Sequence, residues 1–114
     1  MNVEIKNIPK HRLIDVKLDG EIDDHMSQSL RGDIDDKIIN TGAVNVAFDF
    51  SKVEFMDSSG IGIIIGRYKK VNALGGQVII YGMNSNVKRL LEMANLKTIA
   101  TITENLEEAI EEVC

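Results

Sequence analysis

A serine at the start of a helix, set among carboxylates, is the part of this sequence with the clearest chemical use. Asp57-Ser58-Ser59-Gly60 follows a strand-like run and opens a helix-like one. At such a junction, backbone N–H groups and the helix dipole create positive potential. The spacing places Ser58 at or near the N-cap, exposed on a loop. Two readings of Ser58 stand side by side. Serine is a favoured N-cap residue in its own right. It is also a phosphorylation site in waiting, where a phosphate would add about −1.5 to −2 charge units at pH 7. The helix start tolerates that charge within the fold, while Asp57 and the acidic residues near Asp23 would make the outer face strongly negative. A switch built this way acts on a partner's surface and leaves the chain folded.

Other constellations fail on spacing. Gly60-Ile61-Gly62 with Gly66 misses a dinucleotide fingerprint by one position, because Ile65 stands where the third glycine belongs. Packing of a helix against a sheet explains those glycines better. No P-loop and no G-x-S-x-G elbow is present. His11 and His25 are the only imidazoles, and neither has a partner at metal-ligand spacing. His11 is expected in an exposed first turn and His25 at a helix start. Cys114, at a chain end, has nothing to depress its pKa. Lys69-Lys70 and Lys88-Arg89 read as solvated pairs that an acidic partner would also feel. The expectation is a non-enzyme with no catalytic residues, no cofactor and no metal.

The composition narrows the partners. The chain has 114 residues, with 13 Lys plus Arg against 18 Asp plus Glu, a net charge of −5. That length suits one domain over residues 1–114, and the acidic balance argues against nucleic acid. The longest apolar run, residues 60–66, is far short of the ~20 residues that a membrane span needs. The first residues carry neither the basic nor the apolar region of a signal peptide. A single cysteine fits a reducing cytoplasm. Aromatic residues make up only 4%, so the core must be aliphatic.

The elements that must position Ser58 follow from hydrophobic periodicity. Residues 3–6 and 13–18 alternate as strands around Pro9, and residues 19–24 read as an acidic loop. Asp23 or Asp24 can cap a helix with Met26, Leu30, Ile34 and Ile38 in its stripe, closed by Gly42. Residues 44–50 give the strongest strand. A helix with Ile61, Ile64, Ile65, Tyr68 and Val71 on one face then runs to Gly75-Gly76. Residues 77–81 form a strand, Val87, Leu90, Leu91 and Ala94 a helical stripe, and residues 97–102 a short strand. Leu106, Ala109, Ile110 and Val113 mark a last helix. The string is ββαβαβαβα, an α/β domain with an open, mostly parallel sheet and one antiparallel pair. Functional loops in such sheets lie beyond the carboxyl ends of the strands, where Glu21 to His25 and Met56 to Gly60 fall.

At these residues the chain resembles the STAS-domain anti-sigma factor antagonists, the sporulation members in particular. The resemblance rests on Phe55-Met56-Asp57-Ser58-Ser59-Gly60-Ile61-Gly62 and Gly66-Arg67-Tyr68-Lys69. It extends to Gly20-Glu21-Ile22-Asp23 with His25, Gly75-Gly76 and Val87-Lys88-Arg89-Leu90, in order over about residues 13 to 97. It implies a small mixed sheet with helices, in a protein that binds an anti-sigma factor serine kinase and so releases a sigma factor. It implies phosphorylation on Ser58 by that kinase and dephosphorylation by a serine phosphatase. It also implies a docking face of Glu21, Asp23, His25, Asp57, Ser58, Ser59 and Gly60. Asp24 departs from relatives with a second histidine there, and Met83-Asn84-Ser85-Asn86 lacks a proline that some carry. Two alternatives stand beside this reading. One is a STAS antagonist serving a general-stress sigma factor. The other is a receiver-type domain phosphorylated on Asp57, which lacks the expected acidic pair after the first strand and an evident lysine after the last.

Overall fold

The computed structural model describes residues 2–113, and Cys114 lies outside the described residues. Alternating apolar residues, and in β4 a continuous apolar run, generate five strands among the described residues: β1 (Asn2–Ile8), β2 (Leu13–Ile22), β3 (Asn45–Met56), β4 (Val78–Tyr81) and β5 (Ala100–Thr103). They pair in sequence order β1-β2-β3-β4-β5, with β1 antiparallel to β2 and the rest parallel. Four helices connect or follow them: α1 (Asp24–Thr41), α2 (Ser58–Ala73), α3 (Ser85–Met93) and α4 (Leu106–Glu112). Two short 3-10 turns, Pro9–His11 and Leu96–Thr98, complete the order. The expected ββαβαβαβα string is therefore the observed one. A receiver reading fails on topology, since doubly wound folds of that kind order their strands 2-1-3-4-5.

The period of two along the strands divides the core between the sheet's faces. Ile14, Val16, Val46, Phe48, Val78 and Ile80 point to one face and pack with Leu30 and Ile34 of α1, Ile63 and Ile64 of α2 and Val87 of α3. The intervening Leu13, Ala47, Ile79 and Tyr81 point to the other, under Ala109 of α4. A tilted contact between Phe48 and Phe50 has ring centroids 5.8 Å apart; with Tyr81 on the other face, these are the aromatic residues of a mainly aliphatic core among the described residues.

Several boundaries differ from the sequence reading. The acidic segment 19–22 is strand, not loop: β2 continues to Ile22, with Glu21 opposite Phe55 and Ile22 opposite Met56. Register shifts between Lys17 and Asp19 and between Gly20 and Glu21 break the apolar alternation there. Gly20 takes φ 121° at this irregularity, a conformation open to glycine. His11 is half-buried in the 3-10 turn, because the turn folds back over the β3 entry, where Asn45 Nδ2 donates to the His11 carbonyl at 3.1 Å. The buried stripe of α2 is Gly60, Ile63, Ile64, Arg67 and Val71. Ile61, Ile65 and Tyr68 lie only partly buried beside it.

Candidate functional site

Strands β2 and β3 are parallel and end in register, and that coincidence builds the site. Ile22 and Met56 are the last paired residues, and the Asp57 N–H donates to the Ile22 carbonyl at 3.1 Å. Each strand is followed at once by an aspartate that caps a helix. Asp23 Oδ1 accepts from the Met26 N–H at 3.0 Å and opens α1. Asp57 Oδ1 accepts from the Ser59 N–H at 2.8 Å and opens α2. Two helix starts thus stand side by side, each with a carboxylate at its cap, which the dipole favours.

This geometry corrects the cap assignment. Asp57, not Ser58, is the N-cap of α2. Aspartate competes well for the cap position, and its extended backbone, φ −99° and ψ −169°, aims its carboxylate at the next turn. Ser58 is the first helical residue and is exposed. Its hydroxyl makes no hydrogen bond to another described residue. The first N–H groups behind it are already engaged, because the Gly60 N–H also donates to the Asp57 carbonyl at 3.1 Å.

Glu21, Asp23, Asp24 and His25 are exposed, Asp57 and Ser59 half-buried, and Gly60 buried. The site residues inferred from sequence therefore gather at one end of the sheet. Their roles differ. Glu21, Asp23, His25 and Ser58 present side chains to solvent, whereas Asp57 and Ser59 shape the turn. At Gly60 a Cβ would lie 2.6 Å from Cε, the flexible end of Met56, which would have to shift to admit it. A Cβ at Gly62 or Gly66 would meet nothing within 4 Å, so of that glycine series only Gly60 serves close packing.

The sequence reading missed an ion pair that joins α1 and α2 along their length. Arg67 of α2 is 5% exposed, and its Nε lies 3.0 Å from Asp35 Oδ1 of α1. Lys70 Nζ approaches the other Asp35 oxygen at 3.6 Å, so one lysine of the Lys69-Lys70 pair serves the fold. The Arg67–Asp35 contact is ionic, not an aligned hydrogen bond, and Arg67 Nη1 is buried with no hydrogen-bond partner among the described residues. Burial pulls the guanidinium pKa down, against the opposing pull of Asp35. The local signal was an arginine three and four residues from Ile64, Ile63 and Val71, on the buried phase of the helix.

A second missed pair lies on the opposite face of the sheet. The Tyr81 hydroxyl donates to Asp15 Oδ1 at 2.7 Å, and both residues are buried. Burial raises the Asp15 pKa, and the tyrosine hydrogen bond only partly counters it. At α3, Asn84 is the N-cap. Its Oδ1 caps Val87 N–H at 2.8 Å and its Nδ2 donates to the Val53 and Glu54 carbonyls.

Comparison with known proteins places this arrangement. The STAS domain family model matches residues 2–109. An anti-sigma F factor antagonist of Paenibacillus polymyxa is 35% identical over 113 residues, covering 99% of this chain and 97% of that protein. Two solved structures share the fold. The anti-sigma factor antagonist SpoIIAA in its unphosphorylated form superposes with a TM-score of 0.78 at 23% identity, covering 98% of this chain and 97% of that one. The Bacillus cell fate determinant SpoIIAA in its phosphorylated form gives 0.77 at 24% identity, covering 99% and 100%. The five-stranded mixed sheet, the paired helix starts and the full-length similarity agree, and the chain belongs to the STAS-domain family, among its anti-sigma factor antagonists.

Proposed function

We propose that this chain is a phosphorylation-gated antagonist spanning residues 1–114 as one STAS domain. With the Ser58 hydroxyl free, it docks on an anti-sigma factor that is also a serine kinase and so frees a sigma factor for transcription during sporulation. The kinase transfers a phosphoryl group from ATP to Ser58 Oγ, whose proton leaves to a base on the kinase, and docking is lost. A serine phosphatase hydrolyses the phosphate and restores the binding form. The chain itself catalyses nothing in this cycle, which runs in the cytoplasm. In keeping with that location, no helix among the described residues is long and apolar enough to cross a membrane.

The observation that carries this reading is the exposed Ser58 in the first turn of α2, beside a second carboxylate-capped helix start. Glu21 and Asp23 are exposed there and suit basic groups on a partner. The caps also explain the switch. Asp57 already holds the Ser59 and Gly60 N–H groups, so a phosphate on Ser58 does not fold onto those donors without displacing Asp57. It stays on the outer face and adds to the charges of Glu21, Asp23 and Asp57. The net charge moves from −5 to about −7. Tenfold weaker binding needs only about 1.4 kcal/mol, within reach of a doubly charged group placed in an interface.

The test is direct. The protein is incubated with its cognate anti-sigma kinase and ATP, and the phosphate is located by mass spectrometry. A single acid-stable phosphate on Ser58 supports the reading. Modification at another residue, or an acid-labile acyl phosphate on Asp57, overturns it.

A further inference from the structure

Among the described residues strand β1 pairs with β2 alone, so its outer edge is open along Asn2–Ile8. Unpaired strand edges are templates for adding another strand. On one face of this edge Glu4 and Lys6 are exposed; on the other, Val3 and Ile5 are half-buried. Val3 and Ile5 floor a groove of about 350 Å³ against Asp33, Asp36, Lys37 and Asn40 of α1.

We propose that β1 is a homodimer edge, on which two copies pair antiparallel about a two-fold axis through Ile5. The charges select this register. A two-fold axis perpendicular to the sheet keeps each face on its own side, so an axis near the strand's centre must pass through Glu4, Ile5 or Lys6. An axis through Glu4 sets Glu4 against Glu4, and one through Lys6 sets Lys6 against Lys6; like charges directly opposite are destabilising. The axis through Ile5 sets each Glu4 opposite Lys6 of the second copy and Ile5 opposite Ile5, beside the groove that Val3 and Ile5 floor. The same register extends a pattern already present in the sheet. Within one copy, Asp49, Lys17 and Glu4 lie in one cross-strand row. Across the axis that row continues with Lys6 and then Asp15 of the second copy, since Lys6 pairs with Asp15. The signs alternate throughout. The site of Ser58 lies at the carboxyl ends of β2 and β3, away from this edge, and stays open in both copies.

A seven-residue edge buries little area, which places the dimer among weak, concentration-dependent associations. Sedimentation equilibrium of the full chain from about 5 to about 500 µM covers that range. The expected weight-average mass rises from 12.7 kDa towards twice that value. Glu4→Lys and Lys6→Glu each put like charges opposite one another and should stay monomeric when alone. Mixed in equal amounts, they should form a heterodimer, because every Glu–Lys opposition is then restored between unlike chains. Far-UV circular dichroism confirms that each variant is folded. Independently, Ile5→Cys in a Cys114→Ser background should cross-link on oxidation. Opposite residues of an antiparallel pair have Cα atoms about 4.5–5.5 Å apart, within disulfide range. The proposal is overturned if the wild type stays at 12.7 kDa throughout, if either single variant associates as the wild type does, or if the folded variants remain monomeric on mixing.

Discussion

Replacing Arg67 or Asp35 should destabilise the protein unequally, and the inequality follows from exposure. The charges lie 3.0 Å apart, with side-chain exposures of 6% for Arg67 and 23% for Asp35. At an effective dielectric constant of about 20, that separation corresponds to an attraction of about 5 kcal/mol, before the cost of desolvating both groups is subtracted. In Asp35→Ala, the buried guanidinium loses its counter-charge while Nη1 already lacks a partner. A loss of about 3–5 kcal/mol is expected, the range for leaving one buried charge unpaired. In Arg67→Met, Asp35 keeps Lys70 at 3.6 Å and its contact with solvent, and methionine retains much of the packing. The expected loss is about 2 kcal/mol. At about 4 °C per kcal/mol for a domain this size, the two variants separate by several degrees in Tm. The double variant Asp35→Leu/Arg67→Met, with an apolar pair in place of the ions, should recover to within about 1 kcal/mol of wild type. Urea denaturation at pH 7 of all four proteins supplies the comparison. A cost for Arg67→Met equal to or above that for Asp35→Ala would refute the reasoning, as would losses below about 1 kcal/mol for both.

Three further outcomes are expected. Asp57→Ala removes the α2 cap and should cost about 1 kcal/mol, most of which Asp57→Asn restores; chemical denaturation reads both. Gly76→Ala should abolish folding or cost well over 4 kcal/mol, since a Cβ there would overlap the Val44 carbonyl oxygen; soluble yield and circular dichroism report it. The Asp15 pKa is raised by burial, so the folded state binds its proton more tightly than the unfolded chain does. Wild-type stability relative to Asp15→Asn should therefore rise as pH falls from neutral through that raised pKa, then level off below the ordinary carboxylate value. Denaturation midpoints of the two proteins between pH 7 and pH 3.5 test this sign.

The order of elements was legible because apolar residues in β1, the first half of β3 and the helices keep their periods, and β4 is a short, wholly apolar run after Gly75-Gly76. The ends of β2 and β3 were not. There Asp19 and the run Ser51-Lys52 are exposed, and backbone pairing to Ile22 and Met56, not side-chain pattern, sustains the strands. Ser58 and its carboxylates were legible from a local motif, but which of Asp57 and Ser58 caps the helix was not, because serine and aspartate compete for the same role. Arg67 was hidden by its type, since a charged residue reads as surface until the partner on another helix is known. Asp15 and Tyr81 are 66 residues apart, and no local signal joins them.

One binding measurement tests the charge-gated docking face most directly. The unphosphorylated protein and the stoichiometrically phosphorylated Ser58 form are titrated into the anti-sigma kinase by calorimetry at the same salt concentration. A Kd at least about tenfold weaker for the phosphorylated form, a difference of about 1.4 kcal/mol or more, is the predicted result, with Ser58→Ala binding as the unphosphorylated protein does. Equal affinity for the two forms would contradict a charge-gated docking face.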